Sequence, residues 1–221
     1  MDVSEAVRAR RSVRGFLDTP VDVAVLRGLA EAAARAPSGG NLQPWHVHIV
    51  TDDALARLKT AVAAKLMRGE TETPDYAVYP PDLDDPYRAR RSDIGEALYG
   101  HLGIPRDDRV ARRRWFAENF AFFGAPGAYF CSVDRGMGPP QWSDLGMYLQ
   151  TLMLLAVEAG LATCPQECWA MFPDTVGRVL GLPERRMLFC GVAIGFEDMS
   201  APANALRSAR ADAGEWLSVA G

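Results

Sequence analysis

The chain has 221 residues, with 24 lysines and arginines against 28 aspartates and glutamates and a formal net charge of -4. That balance offers no whole-molecule attraction to nucleic acid or to an anionic membrane, so any bound phosphate must be held by a local cluster of basic side chains. A hydrophobic content of 48% with 24% charged residues suits a single soluble domain over residues 1–221.

The opening MDVSEAVRARR has no apolar signal core, which points to a cytoplasmic protein. Asp2 to Arg10 reads as a short helix with Val3, Ala6 and Val7 on one face. It delivers the chain to Arg10, Arg11, Ser12, Val13 and Arg14, three guanidiniums and a hydroxyl in five residues. Taken alone, this run reads either as an anion clamp or as a solvated charged face. Asp22 is placed to cap a helix through Ala36, with Val25, Leu26, Leu29, Ala32 and Ala33 inward. The stretch APSGGNLQPW then sets two glycines between two prolines, a backbone-exposed loop open to close approach. HVHIV, from His46 to Val50, alternates as a strand, and its histidines read as ordinary strand residues.

Thr51, Asp52 and Asp53 cap a helix to about Leu66, with Leu55, Leu58, Val62 and Leu66 as its stripe. Residues 69–92 carry prolines, tyrosines and charges without a period, and read as a long surface excursion. Asp93 to Leu102 is helical. A basic and aromatic helix follows from Arg106 to Phe123, whose Trp115, Phe116, Phe120, Phe122 and Phe123 suit a core or a pocket wall. Ala128 to Val133 is a buried strand. From Leu145 to Val157 nearly every position is apolar, too short for a membrane span and without a polar face. That helix must be covered on all sides, and a second subunit would make this easier. Leu161 to Trp169 reads as irregular, Asp174 to Leu180 as a short helix and Met187 to Phe196 as a central strand. The tail adds Arg207 and Arg210 in a polar setting. The four cysteines are expected as reduced thiols. Cys164 and Cys168 are four apart, but no Cys/His pair completes a zinc set.

RRSVRGF with APSGGNLQPW, the helix QWSDLGMYLQTLMLLAVEAG and the segment TCPQECW occur in the order found in the nitroreductase family of FMN-dependent oxidoreductases, which this chain resembles over nearly its whole length. The stretch from Gly138 to Ala170 looks most like the branch that contains nitrobenzoate-type reductases. The resemblance implies an α+β fold, a mixed central sheet flanked by helices, in an intertwined homodimer with FMN at the subunit interface. It implies that Arg10 and Ser12 hold the FMN phosphate with Arg207 and Arg210 approaching from the tail, that Arg11 lines the site, and that Arg14 lies by the flavin pyrimidine. Pro37, Ser38 and Asn41 would come from the other subunit. Glu167 and Cys168 match the segment next to flavin N5, with Cys168 standing where a glycine is common.

The implied activity is a ping-pong reductase taking a hydride from NADH or NADPH and reducing a flat nitroaromatic or quinone. The flavin carries the chemistry, so no catalytic side chain and no metal are required. Same-fold alternatives are an oxidase or dehydrogenase, a dehalogenase, or a non-catalytic FMN-binding protein. Trp115, Phe120, Phe123 and Trp169 are candidates for the acceptor pocket. The expected partners are a second copy and a small aromatic acceptor, with no nucleic acid and no membrane.

Overall fold

A computed structural model describes residues 1–221. The chain runs through α1 (Val3–Ala9), α2 (Val23–Ala33), β1 (His46–Thr51), α3 (Asp52–Arg68), α4 (Tyr87–His101), α5 (Arg109–Ala117), β2 (Gly127–Asp134), α6 (Pro139–Glu158), β3 (Ala162–Gln166), α7 (Pro173–Leu180) and β4 (Arg186–Gly195). The sheet has the order β1-β2-β4-β3, and each of these pairings is antiparallel. This is the expected α+β architecture. Parallel pairing is confined to one bridge at the β3 edge, between Ser12 and Thr163.

Two apolar layers cover the sheet, and strand alternation sorts residues between them. On β2, Tyr129, Cys131 and Val133 pack toward α2 and α6, while Ala128 and Phe130 pack toward α3 and α7. Cys131 pairs with Cys190 but Ser132 pairs with Leu188, so Phe189 is a bulge with no partner across the ladder. The extra residue changes the parity of β4. Met187 precedes it on the α6 side, and Cys190, Val192 and Ile194 follow on that same side. The carbonyl of Phe189 accepts instead from the Tyr76 hydroxyl, and the Tyr76 ring stacks on Phe189 at 6.2 Å.

That contact revises the excursion at 69–92. Tyr76 packs against the core on the α6 side. Glu72 accepts from the backbone N–H of Asp174 at 2.8 Å and of Thr175 at 3.1 Å, occupying the N-terminus of α7. Residues from Tyr87 onward are already helical. Two other expectations change. Residues 162–166 form β3, which accommodates Pro165 because it lies at a sheet edge. Val25 is 43% exposed and Ala32 also faces solvent, leaving Leu26 and Ala33 as the buried positions of α2. Asp22 caps that helix as expected, accepting from Ala24 N–H at 2.8 Å.

Within one chain α6 buries Leu145, Leu149, Leu152, Met153 and Ala156, whereas Met147 is 38% exposed. The all-round apolar helix therefore keeps an uncovered face that includes Gly146 and Met147. No helix is long and apolar enough to cross a membrane.

Candidate functional site

Helix α1 is closed at its start by a reciprocal cap. Glu5 N–H donates to Asp2 Oδ1 at 2.8 Å, and Asp2 N–H donates to Glu5 Oε2 at 2.9 Å. The chain turns extended at Arg10 and lies along the free edge of β3, where Val13 N–H donates to the Thr163 carbonyl at 3.0 Å. Val13 is 2% exposed, and alternation in an extended chain sends its neighbours Ser12 and Arg14 to the opposite side. Phe16 N–H donates to Phe123 O at 3.1 Å and Leu17 N–H to Phe196 O at 2.9 Å, which joins this segment to both sides of the fold.

The tail is brought to the same place by Asn204, which is 5% exposed. Its Oδ1 accepts from Arg14 N–H at 2.7 Å, and its Nδ2 donates to Gly15 O at 2.8 Å and Asp198 O at 2.9 Å. Gly15 is needed here because a Cβ would sit 2.3 Å from Ala201 Cβ. Arg207 Nη1 donates to the Asn204 carbonyl at 2.8 Å, and Arg210 Nη1 donates to Ser208 Oγ at 2.7 Å.

The result is a cleft of about 620 Å³ whose lining includes Arg8, Arg10, Arg11, Ser12, Arg14, Arg207 and Arg210. Only Arg11 among these six arginines has an acidic partner, Glu197. Five guanidiniums without a carboxylate, beside a hydroxyl, form a donor set suited to a dianionic phosphate monoester. The cofactor phosphate therefore fits the residues present.

From its Thr163 bridge to Ser12, β3 runs on to Glu167, four residues or about 13 Å further at strand rise. Glu167 and Cys168 open a 3₁₀ turn, Glu167–Met171. Cys168 is not among the residues with positive φ, so a side chain is accommodated where a glycine is common. Burial, with Cys164 and Glu167 nearby, pushes its thiol well above the ordinary value, and it stays protonated. Cys131 and Cys164 are likewise raised by burial, to about 12 and about 11. All four cysteines are free thiols.

Pro37, Ser38 and Asn41 do not line the arginine cleft of their own chain. Their loop is held by Asp144, a residue of α6 only 3% exposed, whose Oδ1 and Oδ2 accept from Gly39 N–H at 3.2 and 3.3 Å. Ser38 Oγ accepts from Gln43 N–H at 2.9 Å. Gly40, Asn41 and Gln43 take φ of 58°, 56° and 49°, a left-handed path that exposes the backbone.

The chain belongs to the nitroreductase family. The family model matches residues 7–196. A nitrobenzene nitroreductase of Ectopseudomonas oleovorans is 35% identical over 215 residues, covering 97% of this chain and 95% of the relative. A 4-nitrobenzoate reductase of Pseudomonas putida is also 35% identical, covering 95% of this chain and 91% of its own. Among solved structures, the FMN and NADPH-dependent nitroreductase NfnB from sphigopyxis sp. strain HMH superposes with a TM-score of 0.97 at 49% identity over 100% of both chains. The match to the nitroreductase model ends before the tail that carries Arg207 and Arg210.

In this nitroreductase the aromatic candidates for a pocket wall are interior. Phe120, Phe123 and Trp169 are at most 6% exposed. Trp169 stacks on Phe122 at 4.6 Å, and Phe120 meets Phe172 edge-on at 5.0 Å. Trp115 packs on the rim of the same cluster. Four residues of the site escaped sequence reasoning: Arg8, Asp144, Glu197 and Asn204. Arg8 had a signal, two positions before Arg10 in the same basic run. The other three act through contacts across 105 to 190 positions and had none.

Proposed function

We propose that this protein is an FMN-dependent reductase that takes a hydride from NADH or NADPH and reduces a flat, electron-poor acceptor such as a nitroaromatic or quinone. The observation that carries this is the arginine cleft, where the segment at 10–14 and the tail at 206–210 meet around a space lined by six arginines and no carboxylate. Relatives named as reductases of nitrobenzene and 4-nitrobenzoate support the acceptor class. An NfnB from Mycobacterium smegmatis solved in complex with NADPH, 32% identical with a TM-score of 0.93, supports the donor.

When bound, FMN supplies the redox chemistry, accepting a hydride and passing reducing equivalents onward. The chain supplies position and charge. Arg10, Ser12, Arg207 and Arg210 hold the phosphate. Arg14, anchored through its N–H to Asn204, places a cation where reduction builds negative charge. Glu167 and Cys168 close the opposite end of β3, with Cys168 neutral so that no thiolate opposes that charge. Pro37, Ser38 and Asn41 serve the site of a second copy, because they stand away from the cleft of their own chain. The uncovered face of α6 is the seam of that homodimer, and the protein works in the cytoplasm as one domain over 1–221, with the excursion at 69–92 on its surface.

Apoprotein titrated with FMN, then treated anaerobically with each nicotinamide, tests the reading. Flavin uptake followed by bleaching and reoxidation by a nitroaromatic is expected. Absence of uptake refutes the cleft assignment, and uptake without reduction by either nucleotide refutes the reductase.

A further inference from the structure

Arg11 lies in a wall shared by two cavities. One is the arginine cleft; the other is a chamber of about 210 Å³ behind the N-terminal segment, lined in part by Val13, Gly160, Thr163 and Glu197. The Arg11 guanidinium is turned into this chamber, where Nη2 donates to Glu197 Oε1. The side chains are 26% and 17% exposed, so water screens the pair less than an ion pair on the open surface.

We propose that Glu197 acts as a positioning residue that holds Arg11 away from the cofactor phosphate, and so sets how tightly the cleft binds it. The inference rests on the FMN reading above. Three features support it. Arg11 is flanked by Arg10 and Ser12, so its backbone already stands at the cleft. The Arg11 guanidinium is incompletely satisfied: its Nε is buried without a hydrogen-bond partner, as is Thr163 Oγ1 in the lining of the same chamber. Turning away would leave the Glu197 carboxylate unpaired, which holds the guanidinium in the chamber; once that charge is removed, its donors are free to face the cleft. The Glu197 backbone is fixed by its bridge to Phe16 and by the bond from Asp198 N–H to Gly15 O at 3.0 Å, which keeps this residue on the chamber side of Arg11. With Glu197 charged, Arg11 is neutralised and five unpaired guanidiniums line the cleft; without that charge a sixth becomes available.

FMN dissociation constants of apoprotein variants, measured by flavin fluorescence at low and high salt, test the proposal. Glu197→Gln and Glu197→Ala should each bind FMN about tenfold more tightly at low salt, the worth of one charge-assisted contact, with the gain shrinking as salt screens it. Arg11→Ala should change the constant by no more than about threefold, and in the Glu197→Gln background it should abolish the gain. A gain that survives in the double variant means that Glu197 acts by general repulsion, and overturns the role given to Arg11. Unchanged or weaker binding in both Glu197 variants overturns the proposal, while wild-type uptake of flavin keeps the FMN reading. No uptake by the wild type overturns both.

Discussion

Replacing Asn204 by alanine tests whether the tail arginines owe their place to one buried amide. The side chain makes three hydrogen bonds, to Arg14 N–H at 2.7 Å, Gly15 O at 2.8 Å and Asp198 O at 2.9 Å, at 5% exposure. Each is worth about 1 kcal/mol net, and alanine also leaves one amide N–H and two carbonyls under-satisfied in a site that water reaches poorly. The expected loss is about 3–4 kcal/mol, a large share of the roughly 5–15 kcal/mol that stabilises a typical domain. Asn204→Asp keeps the acceptor for Arg14 but points a carboxylate at two carbonyls, and should be at least as damaging. Urea unfolding monitored by tryptophan fluorescence measures the loss. FMN titration below the unfolding transition should show weaker binding as well, because Arg14 N–H loses its acceptor and the main-chain carbonyl that Arg207 bonds is no longer tied to Gly15 and Asp198. A stability loss under about 1 kcal/mol with unchanged FMN affinity would refute the reasoning.

Arg10→Ala removes a cleft guanidinium with no acidic partner and should weaken FMN binding about 10- to 100-fold with little loss of stability; purified variant with full flavin occupancy would end the phosphate role. On α6, Met147→Glu should dissociate the proposed dimer and leave a folded monomer in sedimentation, because Met147 is 38% exposed. Leu152→Glu should instead unfold the chain, since Leu152 is 0% exposed inside a single subunit; a soluble folded Leu152→Glu protein would contradict the core assignment. Burial acts to raise the Glu72 carboxyl, but hydrogen bonds from Thr175, Lys65 and Asp174 outweigh it and leave it below the ordinary range. Its contribution is therefore present above about pH 4.3, the unfolded value, and is lost as pH falls through the folded one. Glu72→Gln should lower the urea midpoint at neutral pH and flatten its fall below pH about 5; wild-type and variant profiles that run parallel across this range would be inconsistent with it.

Local pattern located most of the elements and the arginine segment that lines the cleft. The alternation of HVHIV, the stripe through Leu55, Leu58 and Val62, and the Asp22 cap place β1, α3 and α2 because period and capping are properties of neighbouring residues. The basic run at 10–14 and the loop at 37–41 were legible for the same reason, as unusual local chemistry. Tertiary structure decided the rest. The aromatic run at 115–123 suited a core first and a pocket wall second, and packing against Trp169 and Phe172 made it core. Leu161 to Trp169 reads as irregular, and only the sheet shows that 162–166 is a strand whose edge position accommodates Pro165. The resemblance gives Arg11 only a place lining the site, and its contact with a carboxylate 186 positions away supplies the physical difference from Arg10. The meeting of the two arginine segments depends on an amide 190 positions from the N–H it accepts from. Such a bond has no period and no neighbouring partner, so only the folded chain, which brings both ends to the edge of β3, reveals it.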